Sequence, residues 1–397
     1  MPPTGVEAPG STAEVRRGAH RYRIVSVDDH LIEPPDLFEG RMPARLADRA
    51  PRVVELPNGR QVWTFEDRIY PNVGLNAVIG RPRHEWSMDP ANFDEMRRGC
   101  WDIDARIADM DAAGIAASVC FPSLIAGFSG AVFSQATDPE LGLACVRAWN
   151  DWHLEVWAGR HPGRIIPLQL TWLADPQVAA AEVRANAERG FRALSFCEFP
   201  SRLGLPSLRS GHWDPLLAAC AETATVVCLH TGSASWAPVP SDDPPFELLP
   251  TLFPANAFLA CADWLWSGVC TRFPDLRIAM AEGGVGWVNM LADRVDYVLD
   301  HSASGVESRH WTDELRPSEV LARNFWFCTI DDPSTLEPTI RRLGAERIML
   351  EVDYPHADST WPHTQELVHA RLGHLPADVV ERLTHRNAEE LFRWPGS

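Results

Sequence analysis

From Ile24 onward, short apolar runs rich in β-branched residues alternate with longer segments of helical periodicity. That alternation is the feature that most constrains the fold, because repeated βα units pair their strands in parallel and cover them with helices. The strand-like runs are Ile24–His30, Ala117–Pro122, Ile165–Thr171, Ala193–Phe199, Thr225–Thr231, Arg277–Glu282, Asn324–Ile330 and Arg347–Asp353. Between them lie amphipathic segments such as Ile103–Ala113, Glu140–Arg160, Pro176–Arg189, Phe258–Phe273 and Gly286–His301. Eight strands with helices between them are what a closed parallel barrel requires. An α/β chain folded as a (β/α)8 barrel, one domain over residues 23–397, is therefore expected.

Three stretches interrupt the repeat, at about 36–100, 234–254 and 302–322. The first contains VVELPNGRQVWTF, where Asn58-Gly59 between two β-prone runs predicts a β-hairpin inserted after the first strand. The second, rich in Pro, Ser and Asp, directly follows the fifth strand, so it should border a site at the carboxyl ends of the strands. Residues 1–22 read as a mobile tail, with arginines but no apolar stretch of a signal peptide.

Composition narrows the partners. A net charge of −18 repels nucleic-acid backbones and anionic membrane surfaces, and no apolar run is long enough to span a bilayer. A small-molecule substrate, no nucleic acid and no membrane are expected. The nine cysteines occur singly in apolar segments with no CxxC pair, which suits reduced, buried thiols in a cytoplasmic protein. Sixteen tryptophans against four tyrosines fit either a heavily packed helical exterior or an apolar substrate pocket. The insertions and Trp content also make a homodimer an expectation.

Side chains two apart on a strand share a face, so Asp28 and His30 can both point to the barrel axis while Asp29 points away. Alone, the run reads equally well as a turn cap. Ligand-type residues recur, however, at the ends of other apolar strands: Glu198 in ALSFCEF, His230 in VVCLH, Glu282 in IAMAE and Asp353 in IMLEVD. Ionised carboxylates crowded in a cleft repel one another unless cations neutralise them. Four carboxylates (Asp28, Glu198, Glu282, Asp353) carry −4 and two divalent ions carry +4, which predicts a binuclear metal centre. Trp63, Phe128, Trp236 and Trp287 are candidates for apolar walls around a substrate.

VSVDDHLIEPPDLF, RIADMDAAGI, CLHTG, AEGGVGW and the VDYPH segment resemble the amidohydrolase superfamily, in particular its family 2 branch related to aminocarboxymuconate-semialdehyde decarboxylase. The resemblance runs from about residue 24 to 393 and implies a distorted TIM barrel carrying one or two metal ions. It also implies ligands from an HxH motif on strand one, His on strands five and often six, and Asp on strand eight. Here Asp28 replaces the first His of HxH, and Glu282 stands at the strand-six position. Such an oxygen-rich set shifts preference toward Fe2+ or Mn2+ relative to Zn2+. Glu198 resembles the residue that bridges two metals in binuclear members.

The reaction expected from this reading is hydrolysis of a carboxylic ester, thioester, lactone or amide of a bulky apolar acyl group by metal-activated water. The resemblance places Asp353 as the proton shuttle, with His356 contacting substrate or supporting it. The alternative is a non-oxidative decarboxylase that uses one metal to hold an aromatic or unsaturated acid. A small aromatic carboxylate would call for an arginine near the metal, for which Arg81, Arg83, Arg202 and Arg209 are candidates without a firm position. A third reading, a barrel that binds without catalysis, is disfavoured by the retained ligand residues.

Overall fold

A computed structural model of the protein describes residues 21–302 and 311–394. Strand β1 (Ile24–His30) is buried along its whole length. After an antiparallel insertion of β2 (Arg52–Glu55), β3 (Gln61–Phe65) and β4 (Arg68–Tyr70), the parallel series resumes. It runs through β5 (Ile115–Phe121), β6 (Ile165–Ile166), β7 (Leu168–Leu170), β8 (Ala193–Phe196) and β9 (Val226–His230). β10 (Ile278–Ala281), β11 (Phe325–Thr329) and β12 (Ile348–Leu350) complete it.

Two parallel sheets, β1-β5-β6 and β7 through β12 in sequence order, make up the wall. They meet at Pro167, which lacks an N–H and splits one extended segment into β6, paired with β5, and β7, paired with β8. The Pro167 carbonyl still accepts from the Arg192 and Ala193 N–H groups. On the other side the wall closes where the Asp353 N–H donates to the Asp28 carbonyl (2.8 Å) and the His30 N–H to the Tyr354 carbonyl (2.6 Å). The architecture is the expected (β/α)8 TIM barrel with β6 and β7 acting as one strand. The strands carry an apolar lining, because both faces of a parallel sheet are covered.

Helices Ile103–Ala113 and Pro176–Arg189 have the expected bounds, each begun by an aspartate cap (Asp102, Asp175) and ended by a left-handed glycine (Gly114, Gly190). The insertion after β1 has three strands rather than the expected two. β4 follows a two-residue turn, Glu66-Asp67, with φ of 48° and 62°. Its chemistry is that of a tight hairpin turn without the usual Asn or Gly, so it carries no sequence signal. The insertion expected at 302–322 lies partly, at 303–310, outside the described residues, as do residues 1–20 of the expected tail. Arg21 and Tyr22 bond to His369 and Gln365 of the last helices.

The nine cysteines are buried and unpaired. Among the described residues no helix is long and apolar enough to cross a membrane. Of the two meanings of the Trp excess, packing predominates: Trp149, Trp157, Trp213 and Trp264 are completely buried between helices and strands.

Candidate metal centre

The carboxyl ends of β1, β9 and β10 and the residues just beyond β12 converge on one point. His30 Nε2 and His230 Nε2 approach to 3.1 Å. Asp28 Oδ1 lies 3.6 Å from the first and 3.5 Å from the second. Asp353 Oδ1 is 3.5 Å from His30 Nε2, and Glu282 Oε2 is 3.5 Å from His230 Nε2. A first-row ion about 2.0–2.2 Å from each ligand sets ligand–ligand separations of about 3.0–3.6 Å, the spacing found here. His230 Nδ1 sits 2.8 Å from the Thr231 carbonyl. That contact makes Nδ1 the donor and leaves the Nε2 lone pair facing the cluster.

The residues fit a divalent ion for a second reason. Both carboxylate oxygens of Asp28 and both of Asp353 are buried without a hydrogen bond of good geometry, although His356 Nδ1 stands 2.9 Å from Asp353 Oδ1. Such groups are costly unless something pairs with them. Burial raises the Asp28 carboxyl and pushes Glu282 and Asp353 well above the usual carboxylate range. Burial works against charging His230 too, but the Asp28 and Glu282 carboxylates outweigh it and lift the imidazole to about 10. The cluster thus draws in a positive charge, and a metal ion meets that demand better than a proton. Backbone geometry matches a functional site: Glu282, Asp353 and Phe128 hold φ of 56°, 57° and 55°, a conformation costly for side chains of this kind.

Supporting groups hold the ligands. Asp29, on the opposite face of β1, accepts from the Tyr354 N–H and the Ser26 and Ser118 hydroxyls. Arg106, fully buried, donates to the carbonyls of Gly99 and His30 and lies 4.0 Å over the Tyr354 ring. It thereby ties the helix Ile103–Ala113 to the ends of β1 and β12, two of the four strand ends that carry candidate ligands. Glu351 accepts from Cys328 Sγ and from the Glu282 N–H beneath the cluster. None of these supports was expected from sequence, since nothing in an Arg inside an amphipathic helix announces a buried partner. Asp358 also went unpredicted: with Glu282 and Asp353 it forms a second group of converging carboxylates. Its place two residues after His356 was the only signal.

Other expected residues lie elsewhere. Glu198 is buried, but its Oε1 accepts from the Gly232 N–H and Asn256 Nδ2, each at 2.9 Å, and it belongs to no group of converging ligand atoms. Side-chain direction just beyond the end of β8 is set by these loop and helix partners, so the structure does not bring the expected bridge to the cluster. Trp63 is buried against Phe38 inside the insertion. Trp287 turns into the wall, bonded to the Gly283 carbonyl and packed edge-on against Phe258 and Phe327. Neither lines the cavity above the cluster.

That cavity, about 800 Å3, is lined by His230, Glu282, His356 and Asp358 at its polar end. Phe128 and Trp236 are in its wall. The Phe128 ring sits 5.6 Å from His30 and 4.9 Å from His230. None of the four candidate arginines reaches it. Arg81 bonds to Glu95, Arg83 stacks on Trp86, and Arg202 stacks on Trp236 at 4.1 Å.

A (β/α)8 barrel with carboxylates and imidazoles gathered at its strand ends defines a metal-dependent enzyme class. The chain belongs to the amidohydrolase family, whose model matches residues 42–394. It is 23% identical over 272 residues to a 2-amino-3-carboxymuconate-6-semialdehyde decarboxylase of Dictyostelium discoideum, across 68% of this chain and 70% of that one. Among solved structures, an amidohydrolase from Mycobacterium avium subsp. paratuberculosis superposes with a TM-score of 0.72 at 24% identity, over 94% of this chain and 100% of the other. A dihydroxybenzoic acid decarboxylase from Polaromonas sp., with bound manganese and the inhibitor 2-nitroresorcinol, superposes with a TM-score of 0.64 at 18% identity, over 94% and 98%. The expected hydrolysis of an ester, thioester, lactone or amide is overturned by these findings, because the relatives that carry a named reaction are decarboxylases.

Proposed function

We propose that the protein is a non-oxidative decarboxylase of an aromatic or unsaturated acid, working with one divalent ion of the manganese type. One observation carries the reading: Asp28, His30, His230 and Asp353 gather around one point, while Glu198, the residue expected to bridge two ions, is held by the Gly232 N–H and Asn256 and belongs to no group of converging ligand atoms. The reactions named for the relatives support it.

A divalent ion bound there supplies the positive charge that holds an anionic substrate and offsets charge building on its oxygens. The chain's own residues do the rest. Phe128, packed on both imidazoles, keeps water from the reacting face. His356 Nδ1 lies 2.9 Å from Asp353 Oδ1, close enough to pass a proton to that carboxyl. Asp353 delivers the proton to the substrate carbon that bears the carboxylate. A π electron pair of the ring or alkene forms the new C–H bond, the bond between that carbon and the carboxylate then breaks, its electron pair restores the π system, and CO2 departs.

The test is CO2 release from 2,6-dihydroxybenzoate and from 2-amino-3-carboxymuconate semialdehyde by manganese-loaded protein, compared with Asp353→Asn. Native protein should release CO2 from at least one of the two acids, and the variant should retain the ion while losing about 10²–10⁴-fold in turnover. Undiminished turnover in the variant would remove Asp353 from the proton path. Ester cleavage without CO2 release from any acid would overturn the decarboxylase reading.

A further inference from the structure

The cavity is far larger than a single-ring acid needs. At about 800 Å3 it lies toward the upper end of pockets that enclose drug-sized ligands, roughly 300–1,000 Å3. Its ionisable groups, His230, Glu282, His356 and Asp358, are confined to the metal end, and the uncharged polar side chains of Asn76, Ser87, Thr231 and Ser235 complete the polar lining. Most of the remaining wall is hydrocarbon from three separate parts of the chain: Leu75 and Val78 from the first insertion, Leu124 after β5, and Leu249 and Phe253 from the segment after β9. Among the described residues no arginine lines it, and the sequence contains no lysine. A second anionic group on the substrate would find no arginine or lysine to pair with among the described lining residues, where the charged side chains are the acids Glu282 and Asp358.

The apolar lining continues to the outer surface. Phe246 and Met88, on the rim, are 57% and 37% exposed. Large apolar side chains held open at a cavity mouth mark a surface that another apolar group covers. Resting on the decarboxylase reading, the geometry points to a substrate class: a monoanionic ring or unsaturated acid whose carboxylate lies at the metal and whose far end bears an extended, uncharged hydrocarbon substituent. The substituent fills the chamber between Leu249 and Phe253 and, when long, covers Phe246 and Met88. Charge selects the head, which only the metal end can neutralise. Buried area selects the tail.

The test uses metal-loaded protein and two ligand series. In 4-alkyl-2,6-dihydroxybenzoates, from methyl to heptyl, kcat/KM for CO2 release should rise about fourfold per methylene that enters the chamber. In 5-alkyl-2-nitroresorcinols, which have no carboxylate to lose, calorimetry should show affinity rising by a similar factor. Leu249→Glu should flatten both series, and Phe246→Ser, at an exposed position, should lower only the longest members. Turnover that is flat or falls with chain length would overturn the inference while leaving the reaction in place. Affinity rising with length without CO2 release would support the chamber's assignment and remove the reaction. Flat affinity without turnover would end both.

Discussion

Glu198 shows how far one residue's neighbours can move it from the role its position suggests. Burial pushes its carboxyl from an ordinary 4.5 up to about 7, against the opposing hydrogen bonds from Asn256 and Gly232. A carboxyl with a raised folded pKa holds its proton more tightly folded than unfolded. Its stabilising contribution is therefore full below about pH 4.5 and is lost as pH rises through about 7. Glu198→Gln keeps an acceptor for both donors and removes the titration. In metal-free protein, native stability relative to this variant should fall between pH 4.5 and 7, by up to about 3 kcal/mol, as read from urea midpoints at each pH. Parallel pH profiles would mean that Glu198 is ionised in the fold, as a metal ligand would be. At this scale the sequence was legible in residue type. Asp28, His30, His230, Glu282 and Asp353 could all be marked as strand-end donors, but the direction of Glu198 depends on Asn256, which is 58 positions away.

At the scale of elements, strands and helices were legible because period-two and helical patterns are local. The departures arose where backbone chemistry or distant partners intervened: Pro167 divides a strand, and the Glu66-Asp67 turn adds β4 without the Asn or Gly usual in a tight hairpin. That turn also docks the insertion on the barrel. The Glu66 carboxylate accepts from the Thr137 N–H (2.7 Å) and hydroxyl (2.6 Å), just before helix Pro139–Trp152. Glu66→Ala should cost about 1 kcal/mol, discounted for its partial exposure, and should speed proteolysis within residues 50–100. Unchanged cleavage there would show that core packing of Trp63 and Phe65 alone holds the insertion. The two wall residues that were expected and do not line the cavity, Trp63 and Trp287, failed for one reason. An aromatic near a site packs toward whichever hydrophobic surface lies closer, and for both that is the protein's own core.

For the whole molecule, the buried carboxylates would destabilise metal-free protein, and a bound ion would relieve that cost. Removing divalent metal with a chelator should lower Tm, and adding Mn2+ at 100 times its Kd should restore about 2.7 kcal/mol. Titration should saturate at one equivalent, and a second stoichiometric equivalent would refute the single-ion cradle. The sequence by itself determined the barrel and the donor types at strand ends, because periodicity and residue chemistry are properties of short stretches. Only the tertiary structure decided which donors converge, which aromatics face the cavity and that no described arginine enters it. Those outcomes depend on contacts between residues tens to hundreds of positions apart, such as His30 with His230, and on side-chain directions beyond the strand ends that no local pattern encodes.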